Sequence, residues 1–192
     1  MRKIIAAMKI SLDGRTEGPE GYADWVAAWS DDYDLTAQVD ACLLGAGMYA
    51  GYEPYWTAVR NEPEGIHWIT GRPPTAGELD WARFAERTPH YVVSSTLRSA
   101  EWSNTSFLRG LDEIAALKER PGKDIYLMGG AQLTAGLIDA GLVDELRLIV
   151  YPLIAGPGTP LFPGTQQRHG LDLLKVEQLP DGLVRLVYGS AG

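Results

Sequence analysis

Apolar residues cluster in short runs near residues 3–9, 41–45, 90–94, 124–128 and 145–151, and helical patterns lie between several of them. Runs that are apolar at consecutive positions, such as Ala41 to Leu44, suit strands covered on both faces of a parallel sheet. Right-handed crossovers then put helices on both sides of it. The spacing predicts helices over residues 25–29, 31–39 with Ser30 as N-cap, 48–56, 76–86, 111–119 and 131–140. Two further apolar segments, 172–179 and 183–188, are joined by Pro180-Asp181-Gly182, and the Asp-Gly pair predicts a hairpin that adds an antiparallel edge. Residues 54–77, with several Pro and Gly, read as an insertion.

In an open α/β sheet, ligands bind beyond the carboxyl ends of the strands, which here means Gly45, Ser94 and Gly129. The third end is the most informative. Ile125-Tyr126-Leu127-Met128 breaks at Gly129-Gly130 and continues as a helix from Ala131. At such a junction the first helical N–H groups lack backbone partners and point with the helix dipole beyond the strand, and glycine lets an anion approach the main chain. The expected fold is one α/β domain over residues 1–192, with a central, mostly parallel twisted sheet, helices on both faces and an antiparallel C-terminal hairpin.

Three linked motifs from Ile125 to Phe162 carry a family resemblance: the strand ending in Gly129-Gly130, the turn Gly141-Leu142-Val143-Asp144-Glu145-Leu146, and the loop from Pro152 through Gly156, Gly158 and Pro160 to Leu161-Phe162. Ser11-Leu12-Asp13-Gly14, the strand and turn from Ala41 to Tyr49, Tyr55-Trp56, and Val92-Val93-Ser94-Ser95-Thr96-Leu97 extend it. The chain resembles the reductase domain of riboflavin-biosynthesis deaminase/reductases and their stand-alone relatives, which share the dihydrofolate reductase fold. That resemblance implies hydride transfer from NADPH, with NADH possible, to a small heterocyclic substrate, as in reduction of 5-amino-6-(5-phosphoribosylamino)uracil, and a homodimer built through the C-terminal strands.

Cofactor contacts are expected from Ala7, Leu12, Gly45, Ala46, Met48, Ser94, Ser95, Thr96, Gly129, Gly130, Ala131, Gln132 and Leu133. The segment Gly45-Ala46-Gly47-Met48-Tyr49-Ala50-Gly51 has its third glycine one position too late for the common dinucleotide fingerprint, so a Rossmann reading is rejected. Relatives usually carry arginine where this chain has Ala46. An arginine–phosphate contact is worth about 1.5–3 kcal/mol, so its absence bears directly on the choice between NADPH and NADH. Arg98 is available to replace it.

On the substrate side, Asp13 and Asp24 are the catalytic candidates, because hydride transfer needs little more than alignment and a proton source. Asp13 also fits an Asp-Gly turn, and Asp24 an N-cap. Trp25, Trp29, Tyr52, Trp56 and Gly158 are expected around the substrate, with Tyr55 beside them, although aromatic residues at helical spacing also build cores. Alternatives remain open: a dihydrofolate reductase with Asp24 holding the pterin, a non-catalytic nucleotide-binding protein of the same fold, or a reductase of an unrelated acceptor.

Composition narrows this further. A net charge of −8 disfavours nucleic acid and anionic membranes as partners. No run reaches the roughly 20 apolar residues of a membrane helix, the N-terminal run is too short for a signal peptide, and cytoplasmic residence is expected. The sole cysteine, Cys42, excludes an intrachain disulfide and sits in an apolar run. His67, His90 and His169 have no metal-ligand spacing, and the H-x-E and P-C-x-x-C signatures of a zinc deaminase are absent.

Overall fold

All eight residues of β1 (Ile4–Ser11) are buried, which is what a strand with consecutive apolar residues achieves only in the middle of a covered sheet. A computed structural model describes residues 1–30 and 33–190. In it β1 pairs in parallel with β6 (Asp124–Gly129) on one side and β7 (Glu145–Tyr151) on the other. The remaining strands are β2 (Arg15–Glu17), β3 (Val39–Gly45), β4 (His90–Val93), β5 (Thr105–Leu108), β8 (Thr159–Pro160), β9 (Leu171–Gln178) and β10 (Val184–Ser190). Eight of them form one sheet in the order β5-β4-β3-β6-β1-β7-β10-β9, and β2 pairs with β8 separately. The pairs from β5 to β7 are parallel and β10 runs antiparallel to both β7 and β9. The fold is the dihydrofolate reductase-like α/β arrangement.

Successive β1 side chains feed two cores. Ile5 and Ala7 pack with α1 (Ala46–Asn61) and α2 (Ala76–Arg87), whereas Ile4, Ala6, Met8 and Ile10 pack with α3 (Leu111–Glu119) and α4 (Ala131–Asp139). Thr75 starts α2 with a capping box closed by Glu78. α1 outruns its expected bounds at both ends and passes through Pro54. No described helix is long and apolar enough to cross a membrane.

Two predicted helices are corrected. Residues 25–29 form a turn followed by irregular backbone, and residues 33–38 make turns before β3 begins at Val39; Asp31 and Asp32 lie outside the described residues. Charged side chains replace the helical ladder in the first segment: Arg72 donates to the Ala27 carbonyl, Lys9 to that of Ala28 at 2.8 Å, and Glu78 accepts from the Trp29 N–H at 2.9 Å. In the second, Arg147 bonds the Tyr33 carbonyl at 2.7 Å and Gln38 at 2.9 Å, and Arg185 pairs with Asp34 at 2.8 Å. Both segments therefore lie over the sheet face as pinned loops. The short strands β2, β5 and β8 had no run long enough to announce them.

Candidate functional site

The carboxyl ends of β1, β3, β4, β5, β6 and β7 share one edge of the sheet, and three helices that follow these strands there, α1, α3 and α4, start without side-chain caps. Gly45 precedes α1 and Gly130 precedes α4, and neither helix has a side-chain hydrogen bond at its N-terminus. Because β3 and β6 are neighbours, the two starts meet: a Cβ on Gly130 would stand 3.7 Å from the Gly45 Cα. Gly130 has φ +86° and Gly129 φ +132°, conformations that favour glycine. The unpaired first-turn N–H groups belong to Ala46, Gly47 and Met48 on one helix and to Ala131, Gln132 and Leu133 on the other. Two dipoles thus point at one place, a setting for a phosphate or pyrophosphate. The Met48 sulfur lies 3.6 Å from the Cβ position of Gly129 and closes the floor.

Beside them, β4 runs into Ser94-Ser95-Thr96. The Ser94 hydroxyl is buried and accepts from the N–H groups of Thr96 at 3.2 Å and Leu97 at 3.0 Å, so it shapes the loop. Ser95 and Thr96 are exposed. Arg98 donates to the Ser95 carbonyl at 3.0 Å, and Arg109 donates to the carbonyls of Ser94 and of Leu97, the latter at 2.8 Å. Two guanidinium groups therefore bracket this loop, which follows the strand next to β3, whose last residue Gly45 precedes Ala46. Arg109 escaped sequence reasoning because it follows β5, which gave no signal. Ala7 is buried in β1 with its carbonyl 3.5 Å from the Tyr126 hydroxyl, and Leu12 is 66% exposed at the strand's end.

Asp13 is fully engaged. Its Oδ1 accepts from the Ser11 hydroxyl at 2.7 Å and the Ala155 N–H at 2.9 Å, its Oδ2 from the Gly156 N–H at 3.0 Å, and Arg15 stands 3.9 Å away. These bonds, the Ser11 hydroxyl first, bring its pKa down to about 2. The group ties the 11–14 turn to the 153–156 loop as a carboxylate, which does not suit it to giving up a proton at neutral pH. Asp24 is exposed and lines a cleft of about 320 Å³ with Gly18, Pro19, Trp25, Leu153, Ile154 and Ala155. No helix starts there, so it is not an N-cap.

Trp25 and Trp29 lie on the pinned loop above β1, and the Lys9 ammonium is 5.4 Å from the Trp29 ring centroid. Tyr52 and Trp56 belong elsewhere. Both are buried in the aromatic core between α1, α2 and β4, where Tyr52 bonds Trp81 and His90, Trp56 packs on Tyr55 and Trp81, and neither lines the cleft. Gly158 turns out to be a close-approach glycine: a Cβ there would meet the Glu17 carbonyl oxygen at 2.1 Å, so it allows β2 and β8 to pair. Cys42 is buried and desolvation pushes its thiol up. No cluster able to hold a metal occurs among the described residues.

The eight-stranded sheet, parallel from β5 to β7 with an antiparallel C-terminal pair, places the protein in the dihydrofolate reductase-like fold class, to which the solved structures below also point. The family profile described as RibD C-terminal domain matches residues 2–185, and the chain belongs to that family. It is 34% identical over 191 residues to the uncharacterized protein YyaP of Bacillus subtilis (strain 168), covering 97% of this chain and 94% of that one. Among solved structures it resembles a putative riboflavin biosynthesis protein from Shewanella sp. PV-4, with a TM-score of 0.70, 20% identity and 99% of both chains covered. It also resembles dihydrofolate reductase from Enterococcus faecalis, solved with NADP(H) and an inhibitor, with a TM-score of 0.63 at 12% identity over 99% of this chain and 97% of the other. The last two likenesses bear on the fold.

Proposed function

We propose that the protein is an NADPH-dependent reductase of the riboflavin-biosynthesis type that acts on a small heterocyclic substrate, with 5-amino-6-(5-phosphoribosylamino)uracil as the family's model. The observation that carries this reading is the meeting of two uncapped helix N-termini at Gly45 and Gly130. Their donor set fits a pyrophosphate, and the two glycines leave room for it. The N–H groups of Ala46, Gly47 and Met48 and of Ala131, Gln132 and Leu133 hold the pyrophosphate, Ser95 and Thr96 with Arg98 meet the adenosine end, and Ala7 and Leu12 border the nicotinamide. When bound, the cofactor supplies a hydride to the acceptor.

The chain's own residues then orient and desolvate. Asp13 fixes the two loops at the mouth, Trp25 and Trp29 wall the substrate, and Asp24 is the described carboxylate at the cleft that is left to hold or move a proton. The same reading carries a cytoplasmic enzyme and a homodimer. The edge strand β9 leaves Leu173, Leu174 and Val176 between 57% and 59% exposed, an apolar strip that a second copy covers; sedimentation of the wild type and of Leu174→Asp tests this.

The functional reading is tested by titrating the purified protein with NADPH and NADH while following tryptophan fluorescence. Saturable quenching by NADPH, stronger than by NADH and reduced in Arg98→Ala, is expected. No binding of either cofactor sinks the reductase assignment.

A further inference from the structure

Two chain segments build the wall of the 320 Å³ cleft, and neither brings a positive charge to it. Residues 16–25, which supply Gly18, Pro19, Asp24 and Trp25, contain Glu17, Glu20 and Asp24 and no lysine or arginine. Residues 152–167, which supply Leu153, Ile154 and Ala155, contain no charged residue at all. Cations do stand on the adjoining strands, but both are held. Lys9 of β1 is buried and donates to the Ala28 carbonyl at 2.8 Å. Arg15 of β2 donates to the Gly158 carbonyl at 3.3 Å and lies 3.9 Å from Asp13, whose charge it balances.

Asp24 has no such balance. It is exposed, and no described residue pairs with its carboxylate. A Cβ on Gly18 would lie 3.8 Å from Asp24 Oδ1 and 3.8 Å from the Trp25 ring, so glycine there keeps the wall open between carboxylate and indole. Around this opening the chain leaves large apolar side chains in water: Ile154 is 78% exposed, Leu12 66% and Tyr22 50%. The Leu12 N–H donates to the Leu153 carbonyl at 2.8 Å, and the Tyr22 carbonyl accepts from the Gly18 N–H at 2.9 Å, which ties both residues to the segments that line the cleft. Exposed apolar groups gathered at the mouth of a cleft mark a surface that a ligand covers.

A phosphate ester carries about 1.5–2 negative charges at neutral pH and is normally met by arginine, lysine or a helix N-terminus. The described residues lining this cleft offer none of these, and they offer an unbalanced carboxylate instead. We propose that the cleft takes an acceptor without an anionic group, whose uncharged apolar substituent lies over Leu12, Tyr22 and Ile154; this rests on the reductase reading for the place of the cleft beside the nicotinamide. Such a substrate departs from the phosphoribosyl compound that serves as the family's model and equally from folate, whose tail ends in carboxylates. Selection comes from repulsion by Asp24 as much as from attraction by the apolar lip.

The test compares tails on a constant ring. Pterin, pterin-6-carboxylate and 6-phenylpterin, and separately uridine and uridine 5′-monophosphate, are titrated calorimetrically into the protein at saturating NADP+, which fills the helix starts at Gly45 and Gly130 so that they cannot take the anion. 6-Phenylpterin is expected to bind about tenfold more tightly than pterin-6-carboxylate, with pterin between them, and uridine more tightly than its phosphate. Raising the salt from about 0.05 to 0.5 M is expected to narrow the gap between the two substituted pterins, because an exposed charge is screened. Asp24→Asn is expected to raise pterin-6-carboxylate affinity about two- to threefold, and Ile154→Arg to reverse the order of the two substituted pterins, each at an unaltered urea midpoint. A protein that binds NADP+ but prefers the anionic member of either set, takes none of the five probes, or keeps its order of preference in Ile154→Arg overturns this proposal alone. Conversion of a dimer to a monomer by Ile154→Arg, read by sedimentation, assigns the lip to a second copy and overturns it too. Failure to bind NADP+ and NADPH overturns the reductase reading beneath it as well.

Discussion

Removing one oxygen atom at Tyr52 distinguishes a core residue from a ligand-binding one. Its hydroxyl accepts from Trp81 Nε1–H at 3.1 Å and lies 3.3 Å from His90 Nε2. The His90 Nδ1 is 2.7 Å from the Thr88 carbonyl, so Nδ1 carries the proton, Nε2 is the acceptor, and the Tyr52 O–H donates to it. Tyr52→Phe keeps the ring, with centroids 5.5 Å from His90, 5.8 Å from Trp102 and 6.2 Å from Trp56, and strands one buried donor and one buried acceptor. Each stranded group costs about 1–3 kcal/mol, and relief from burying the hydroxyl returns part of that, which leaves a net loss of about 2–4 kcal/mol. Equilibrium urea unfolding at pH 7.5 measures it as a lower midpoint at unchanged slope. NADPH affinity, followed by fluorescence, is expected to stay at the wild-type value. A loss below about 0.5 kcal/mol refutes the hydrogen-bond argument, and an intact fold with weakened ligand binding returns Tyr52 to the cleft wall.

Three more expectations follow from the same geometry. Burial lowers the His90 pKa to about 4, so below the unfolded-state value near 6.5 the unfolded chain binds a proton that the folded one refuses; stability is full above pH 6.5 and falls by about 3 kcal/mol as pH drops to 4, a slope that urea titrations at several pH values detect and that His90→Asn removes. Gly130→Ala forces a side chain into φ +86° at the meeting of the helix starts, so a destabilisation of about 1–3 kcal/mol is expected together with at least tenfold weaker NADPH binding, and unchanged binding refutes the helix-terminus site. Asp13→Asn removes the charge that accepts from Ser11, Ala155 and Gly156; hydrogen exchange at those two amides is expected to speed up while β1 stays protected, and slow exchange in the variant counts against the clamp.

Local pattern was enough for the skeleton. The five apolar runs became five of the six parallel strands, α2, α3 and α4 began at or next to their expected residues, and Gly129-Gly130 broke β6 into α4, because burial on both faces and the backbone freedom of glycine are written in neighbouring residues. What failed was whatever distant groups decide. Residues 25–29 have a helical spacing, yet Lys9, Arg72 and Glu78, from as far away as α2, take up their backbone polar groups and leave a loop. Tyr52 and Trp56 look like a cleft wall in one dimension and are core in three, since the face of α1 that carries them meets α2 and β4. Asp13 reads as a free carboxylate until the 153–156 loop, over 140 residues away, supplies two N–H groups to hold it ionised. The sequence determined which segments pair and where the chain turns; which polar groups remain unspent after folding, and so are open to a ligand, was decided by the tertiary structure, because a hydrogen bond can be assigned only when both its ends have been brought together.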